Sequence, residues 1–193
     1  MSLFDRLSRS LALDGPAELL VGDLLEGGED PLREAAVLVA ITDRAEPGVL
    51  LTERRADLRD HAGQIAFPGG RVDDGETAPQ AALREAWEEL GLDPKSVRLV
   101  GEVDHYRTVT GFGVTPVIGV VPPDLALSAN PAEVADWFEA PLGFLLDPAN
   151  QLRRTARFRG AERNYFEIIW NGRQIWGATA AMLVNLARRL RWN

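Results

Sequence analysis

The sequence predicts an α+β domain built on mixed sheets. Two observations carry that expectation: predicted strands outnumber helices, and they arrive in hairpins. A third sets the domain count. No repeat, low-complexity stretch or linker divides the 193 residues, a length suited to one well-packed domain and short for two, so 1–193 reads as one unit.

The opening MSLFDRLSRSLALDGP sets Leu3, Phe4, Leu7 and Leu11 at helical spacing, which predicts a short amphipathic helix packed on the domain. Asp5, Arg6 and Arg9 interrupt any secretory core, and a mitochondrial-type presequence is the alternative reading. Residues 14–33, rich in Gly, Pro and acidic side chains, predict an irregular lead-in with room for a short helix at 16–25. EAAVLVAITD (34–43) is a nearly continuous apolar run with β-branched residues, as in a buried strand. The turn Glu46-Pro47-Gly48 follows, and GVLLTERRA (48–56) reads as its hairpin partner. QIAFPGG (64–70) is a short strand stopped by Pro68.

Thr77, Pro79 and Gln80 open a helix as cap, first-turn proline and capping-box partner, and Gly91 ends it. Its apolar stripe is read as Leu83, Ala86, Trp87 and Leu90, with Glu85, Glu88 and Glu89 on roughly the opposite side. Strands follow at 97–108 and 114–122, then a strand running into a short helix at 133–147 and a hairpin of 153–160 with 165–170. Residues 176–191 form a terminal helix with basic residues in its last turns, the favourable end for them.

Composition narrows the partners. There is no cysteine, so disulfides, thiolate metal sites and cysteine nucleophiles are excluded, and a reducing cytoplasm is compatible. No apolar run approaches the roughly 20 residues of a membrane-spanning helix. A net charge of −8 argues against a broad nucleic-acid face, because that binding rests on cations neutralising phosphates. A small anionic ligand remains open, held by local arginines or through a divalent cation.

The acidic helix needs an explanation. Like charges three and four residues apart repel on a helix, yet Glu85, Glu88 and Glu89 crowd a turn and a half. A solvated face is the bland account of such a trio. A hard divalent cation such as Mg²⁺, which takes carboxylates, carbonyls and water, would remove the repulsion. The Gly69-Gly70 turn, lacking Cβ atoms, lets backbone carbonyls approach the same place.

Gly70, five residues, Glu76, seven residues and then Arg84-Glu85-Ala86-Trp87-Glu88-Glu89-Leu90-Gly91-Leu92 resembles the Nudix box (70–92) without a gap. The resemblance implies the Nudix fold, a mixed sheet sandwiched between helices, and hydrolysis of a nucleoside diphosphate linked to another moiety. It implies Mg²⁺ or Mn²⁺ held by Glu85, Glu88, Glu89 and the Gly69 backbone, with Arg84 in the catalytic set, pairing Glu76 and orienting Glu85. The segment LLTERRADLRDHAGQIAFPGG (50–70) is similar to the signature that precedes the box in coenzyme A diphosphatases. Arg55 departs from it, standing where that signature usually has Ser or Thr. Arg54 and Arg59 are expected at substrate phosphates, with His61 as a further donor. Phe67 is either core or a stacking surface for substrate. Glu133 is a candidate base or further ligand, with a strand-start glutamate as the alternative.

The expected activity is therefore cleavage of coenzyme A and its derivatives to 3′,5′-ADP and 4′-phosphopantetheine or its acyl form. A Nudix diphosphatase for ADP-ribose or NADH is the alternative, and a non-catalytic ligand-sensing Nudix domain stands in a different class.

Overall fold

The structure is a computed structural model that describes residues 1–16, 18–22, 31–57, 63–158 and 161–192. Arg59 and His61 lie outside the described residues. Within 16–25, residues 17 and 23–25 also lie outside the described residues, and the described ones hold no helix.

The centre is a parallel pair. Strand β1 (Arg33–Thr42) runs beside β7 (Phe112–Val121) in unbroken register from Arg33↔Phe112 to Thr42↔Val121. Strand β2 (Gly48–Arg54) is antiparallel to β1 through Ile41↔Val49, but pairs far more extensively with β8 (Val134–Pro141). The expected β1–β2 hairpin thus forms only at its turn end. Beyond it, β4 (Gly69–Arg71) takes the place beside β1, and β3 (Ile65–Ala66) pairs antiparallel with the far end of β2. On the far side β5 (Arg98–Glu102) and β6 (Tyr106–Arg107) pair with β7. The sequence reads 97–108 as one strand; the structure breaks it after Glu102. A second sheet joins β9 (Leu152–Phe158), β10 (Ala161–Trp170) and β11 (Arg173–Trp176).

Helices cover both faces of the larger sheet. Successive side chains of a strand point to opposite faces, so Ala36, Leu38 and Ala40 of β1 pack toward α2 (Ala78–Leu90). Val39 and Ile41 face the other core, which contains residues of α1 (Leu3–Leu11), α3 (Leu142–Leu146) and α4 (Ala178–Leu190). Burial on two faces explains why β1 reads as a continuous apolar run rather than an alternating one. Among the described residues no helix is long and apolar enough to cross a membrane.

Helix α2 is built as its sequence predicts. Thr77 and Gln80 form the capping box, and Gly91 adopts the left-handed conformation (φ 65°) that ends the helix. Its buried stripe differs, however. Ala81, Ala82, Ala86 and Leu90 face the sheet, while Trp87 is 54% exposed. Small side chains bring the helix close to Ala36 and Ala40, and a tryptophan would hold it off. The shift turns Glu89 inward until it is 3% exposed. Glu85, Glu88 and Glu89 therefore do not share a solvent face; they grade from outside to inside.

Candidate active site

Three elements converge on the carboxylates of α2: the β3–β4 glycine turn, the end of β2, and the segment leading into β8. Glycine at 69 and 70 is a steric requirement here. A Cβ on Gly69 would lie 2.4 Å from the Ala36 carbonyl oxygen, so β4 could not pair with β1. A Cβ on Gly70 would lie 2.4 Å from Glu85 Oε1. The turn is therefore pressed against Glu85, and the Gly69 backbone N–H donates to the Glu89 carboxylate.

Arg84 organises the outer half of the site. Its Nε and Nη2 donate to the two oxygens of Glu76, each at 3.0 Å, in a bidentate fork. Nη2 also donates to the Arg71 carbonyl at 2.9 Å, and Nη1 to Glu85 Oε1 at 2.9 Å and Glu88 Oε2 at 3.5 Å. The expected Glu76–Arg84 pairing and the orientation of Glu85 are both present. The guanidinium holds Glu76 below the usual carboxylate range. Its donors are directed at protein oxygens, so Arg84 acts as a brace that ties β4, the loop at Glu76 and α2 together.

The inner half is desolvated. Burial, reinforced by the charges of Glu85 and Glu133 and opposed by Arg54, pushes the Glu89 carboxyl up to about 8. Burial also raises Glu85, against the pull of Arg84. Arg54 Nη1 stands 3.8 Å from Glu89 Oε1, too far for a hydrogen bond. Among the described residues, Glu89 Oε2 and Arg54 Nε are buried with no hydrogen-bond partner. Glu133 is exposed at the start of β8, close enough for its charge to raise both Glu85 and Glu89.

Among the described residues no three His, Cys, Asp or Glu side chains are already drawn into a metal-sized group; the Arg84 guanidinium lies between Glu85 and Glu88 instead. The donors nevertheless suit a hard divalent cation. They are carboxylate oxygens and glycine backbone, and the buried, unpartnered Glu89 oxygen is in the costly state that a bound cation would relieve.

One expected contact does not form. Phe67 is 3% exposed and packs in the core with Ile65, Val39 and Ile118, so it offers no face to a ligand. Its place one residue past β3, on the same buried side as Ile65, decides this, and pattern alone left both readings open. His105, which has no partner legible in the sequence, lies 3.5 Å from Glu34. Two features were not foreseen: the burial of Glu89, and the engagement of Arg55 with Asp57 and the Pro131 carbonyl. Ala81 and Ala82, which permit close helix packing, were the available signal for the first.

A mixed sheet between helices, with a glycine turn pressed against a capped helix of glutamates, defines the class: a Nudix-type domain. The comparisons agree. The family model for the NUDIX domain matches residues 18–159. The chain is 44% identical to an uncharacterized Nudix hydrolase, NudL, of Cronobacter sakazakii over 159 residues, spanning 82% of this chain and 83% of that protein. NudL of Escherichia coli K12 is 42% identical over the same shares of each chain. The crystal structure of RenU, a Nudix hydrolase from M. smegmatis, matches with a TM-score of 0.50 and 27% identity, covering 58% of this chain and 73% of that one. The chain belongs to the Nudix hydrolase family.

Proposed function

We propose that this chain is a Mg²⁺- or Mn²⁺-dependent hydrolase of the diphosphate in coenzyme A and its thioesters. The products are 3′,5′-ADP and 4′-phosphopantetheine or its acyl form. The observation that carries the hydrolytic reading is the graded carboxylate set on α2, with a buried, unpartnered Glu89 oxygen beside Arg54. The substrate reading rests on the 50–70 segment, whose Leu51, Thr52, Arg54, Gly63, Gln64 and Phe67 match the coenzyme A diphosphatase signature.

Glu85, Glu88 and Glu89, with the Gly69 carbonyl, would hold the cation. When bound, it supplies Lewis-acid polarisation of the phosphoryl oxygens and charge for the leaving phosphate. Arg84 keeps Glu85 against Gly70 and prevents the helix carboxylates from splaying apart. In this reading Arg54, next to Glu89, serves the pyrophosphate, with the 3′-phosphate as its alternative, and Arg59 and His61 complete the phosphate contacts. Glu133 is exposed to solvent beside Glu85 and Glu89 and is the carboxylate available to accept the proton of the attacking water. That role requires hydrogen-bond reach to the water.

Glu88→Gln and Glu89→Gln keep shape but remove charge. Each should lower Mg²⁺-dependent turnover of coenzyme A by orders of magnitude while the circular dichroism spectrum stays that of the folded protein. Full activity in both variants would remove the reading of α2 as the catalytic helix.

A further inference from the structure

We propose that Arg55 is a positioning residue that fixes the Glu133 carboxylate relative to α2. The proposal rests on the reading of α2 as the catalytic helix. It goes beyond it by assigning a task to a residue outside that helix, at the point where the chain departs from the coenzyme A diphosphatase signature.

The segment that carries Glu133 is suspended between two anchors. On one side, Ser128 N–H donates to the Leu90 carbonyl at 2.9 Å and Asn130 N–H to the Glu89 carbonyl at 2.8 Å, so the segment hangs from the last turn of α2. On the other side stands Arg55, just past the end of β2. Its backbone N–H donates to the Glu133 carbonyl at 3.1 Å, and its Nη1 to the Pro131 carbonyl at 2.6 Å. One residue therefore grips the segment on both sides of Ala132.

The guanidinium is itself aimed. Nε donates to Asp57 Oδ1 at 2.8 Å and Nη2 to Asp57 Oδ2 at 2.5 Å. A bidentate carboxylate fixes the plane of the fork and leaves Nη1 pointed at Pro131. With these donors engaged, Arg55 is occupied within the protein rather than presented to a phosphate.

Strand pairing does not supply this hold. The β2–β8 register shifts between Glu53, opposite Asp136, and Arg54, opposite Val134. A bulge at this point skips Ala135 and re-aims the chain that precedes it. What lies before Val134 is held by the turn in which the Glu133 and Val134 N–H groups donate to the Asn130 carbonyl, by the backbone bond from Arg55 N–H, which any non-proline residue there would make, and by the Arg55 side chain at Pro131. A Ser or Thr hydroxyl at position 55 would be too short to span both Asp57 and the Pro131 carbonyl. The clamp is thus a property of this chain. Its consequence is local, because Glu133 is the residue whose charge reaches both Glu85 and Glu89.

The test is a set of variants: Arg55→Ala, Arg55→Lys, Asp57→Asn, Glu133→Gln and the double variant Arg55→Ala with Glu133→Gln. Misplacement of a catalytic group by about 1 Å can cost about 100-fold, so Arg55→Ala should lower kcat for coenzyme A by about 10- to 100-fold with KM little changed. Arg55→Lys should recover part of the loss, since an ammonium still reaches the Pro131 carbonyl, and Asp57→Asn should fall between. The double variant should be no slower than Glu133→Gln alone, because both changes act through one group. Full turnover in Arg55→Ala or in Glu133→Gln, or losses that multiply in the double variant, would overturn the proposal. Amide hydrogen exchange gives a readout independent of activity. Arg55→Ala should speed exchange at residues 130–133 and leave the α2 amides unchanged, and unchanged exchange at 130–133 refutes the clamp. A wild type that turns over no diphosphate would defeat the hydrolase reading, while the exchange result still decides whether the clamp exists.

Discussion

Replacing Glu89 by Gln should stabilise the metal-free protein at alkaline pH. In the unfolded chain this carboxyl titrates near 4.5, and in the folded protein burial raises it to about 8. Between those values the native state keeps a proton that the unfolded state has released, so native stability falls as pH rises through the window and levels off above about 8. At about 1.4 kcal/mol per pH unit, the ionised side chain costs the fold up to about 5 kcal/mol. Gln does not ionise, and the pull of Arg54 on the anion is already contained in the value of about 8, so the variant keeps that gain. The expectation is about 5 kcal/mol in favour of Glu89→Gln at pH 9, shrinking to about 1 kcal/mol at pH 5. Urea unfolding in the presence of a chelator, at pH 5, 7 and 9, measures it. Mg²⁺ should then narrow the difference, since ligand at 100 times its Kd adds about 2.7 kcal/mol to the wild type that binds it. A difference that stays flat with pH, or a variant less stable at pH 9, would refute the account of Glu89 as a desolvated carboxylate awaiting a cation.

Three further outcomes follow from the same geometry. Gly70→Ala puts a Cβ 2.4 Å from Glu85 Oε1 and should displace that carboxylate, lowering kcat by about 10- to 100-fold with little change in Tm; unimpaired turnover would show that Glu85 need not sit against the turn. Turnover should rise from neutral to alkaline pH as Glu89 loses its proton, and the limb should move to lower pH as Mg²⁺ concentration increases, because cation and proton compete for the same oxygens; a limb indifferent to metal concentration contradicts this. Arg54→Ala should remove a charge-assisted contact of about 1.5–3 kcal/mol, lowering kcat/KM by about 10- to 150-fold equally for coenzyme A and dephospho-coenzyme A. A loss confined to coenzyme A would place Arg54 at the 3′-phosphate instead.

Much of this was legible in the chain. Helix α2 could be read from Thr77, Pro79, Gln80 and Gly91 because caps are local chemistry, and its bounds in the structure follow them. The Glu76–Arg84 pair was legible because it belongs to a fixed spacing. What failed depended on contacts distant in sequence. Trp87 is the largest apolar residue of its helix, yet packing chose the alanines because Ala36 and Ala40 lie opposite. That rotation, invisible to periodicity alone, is also what buries Glu89. Phe67 was ambiguous for the same reason: one position along residues 65–67 decides whether a side chain enters the core. The partner of β1 was misjudged because turn signals report the nearest strand, whereas the parallel pairing with β7 closes across some 70 residues of chain.

The most direct measurement is kcat/KM with Mg²⁺ for coenzyme A, dephospho-coenzyme A, NADH, ADP-ribose and a dinucleoside polyphosphate, with products identified by mass spectrometry. The account predicts the highest value for coenzyme A, yielding 3′,5′-ADP and 4′-phosphopantetheine, with turnover abolished by chelator. Far better turnover of ADP-ribose than of coenzyme A would contradict the substrate assignment, and turnover of none of them with metal present would contradict the hydrolase itself.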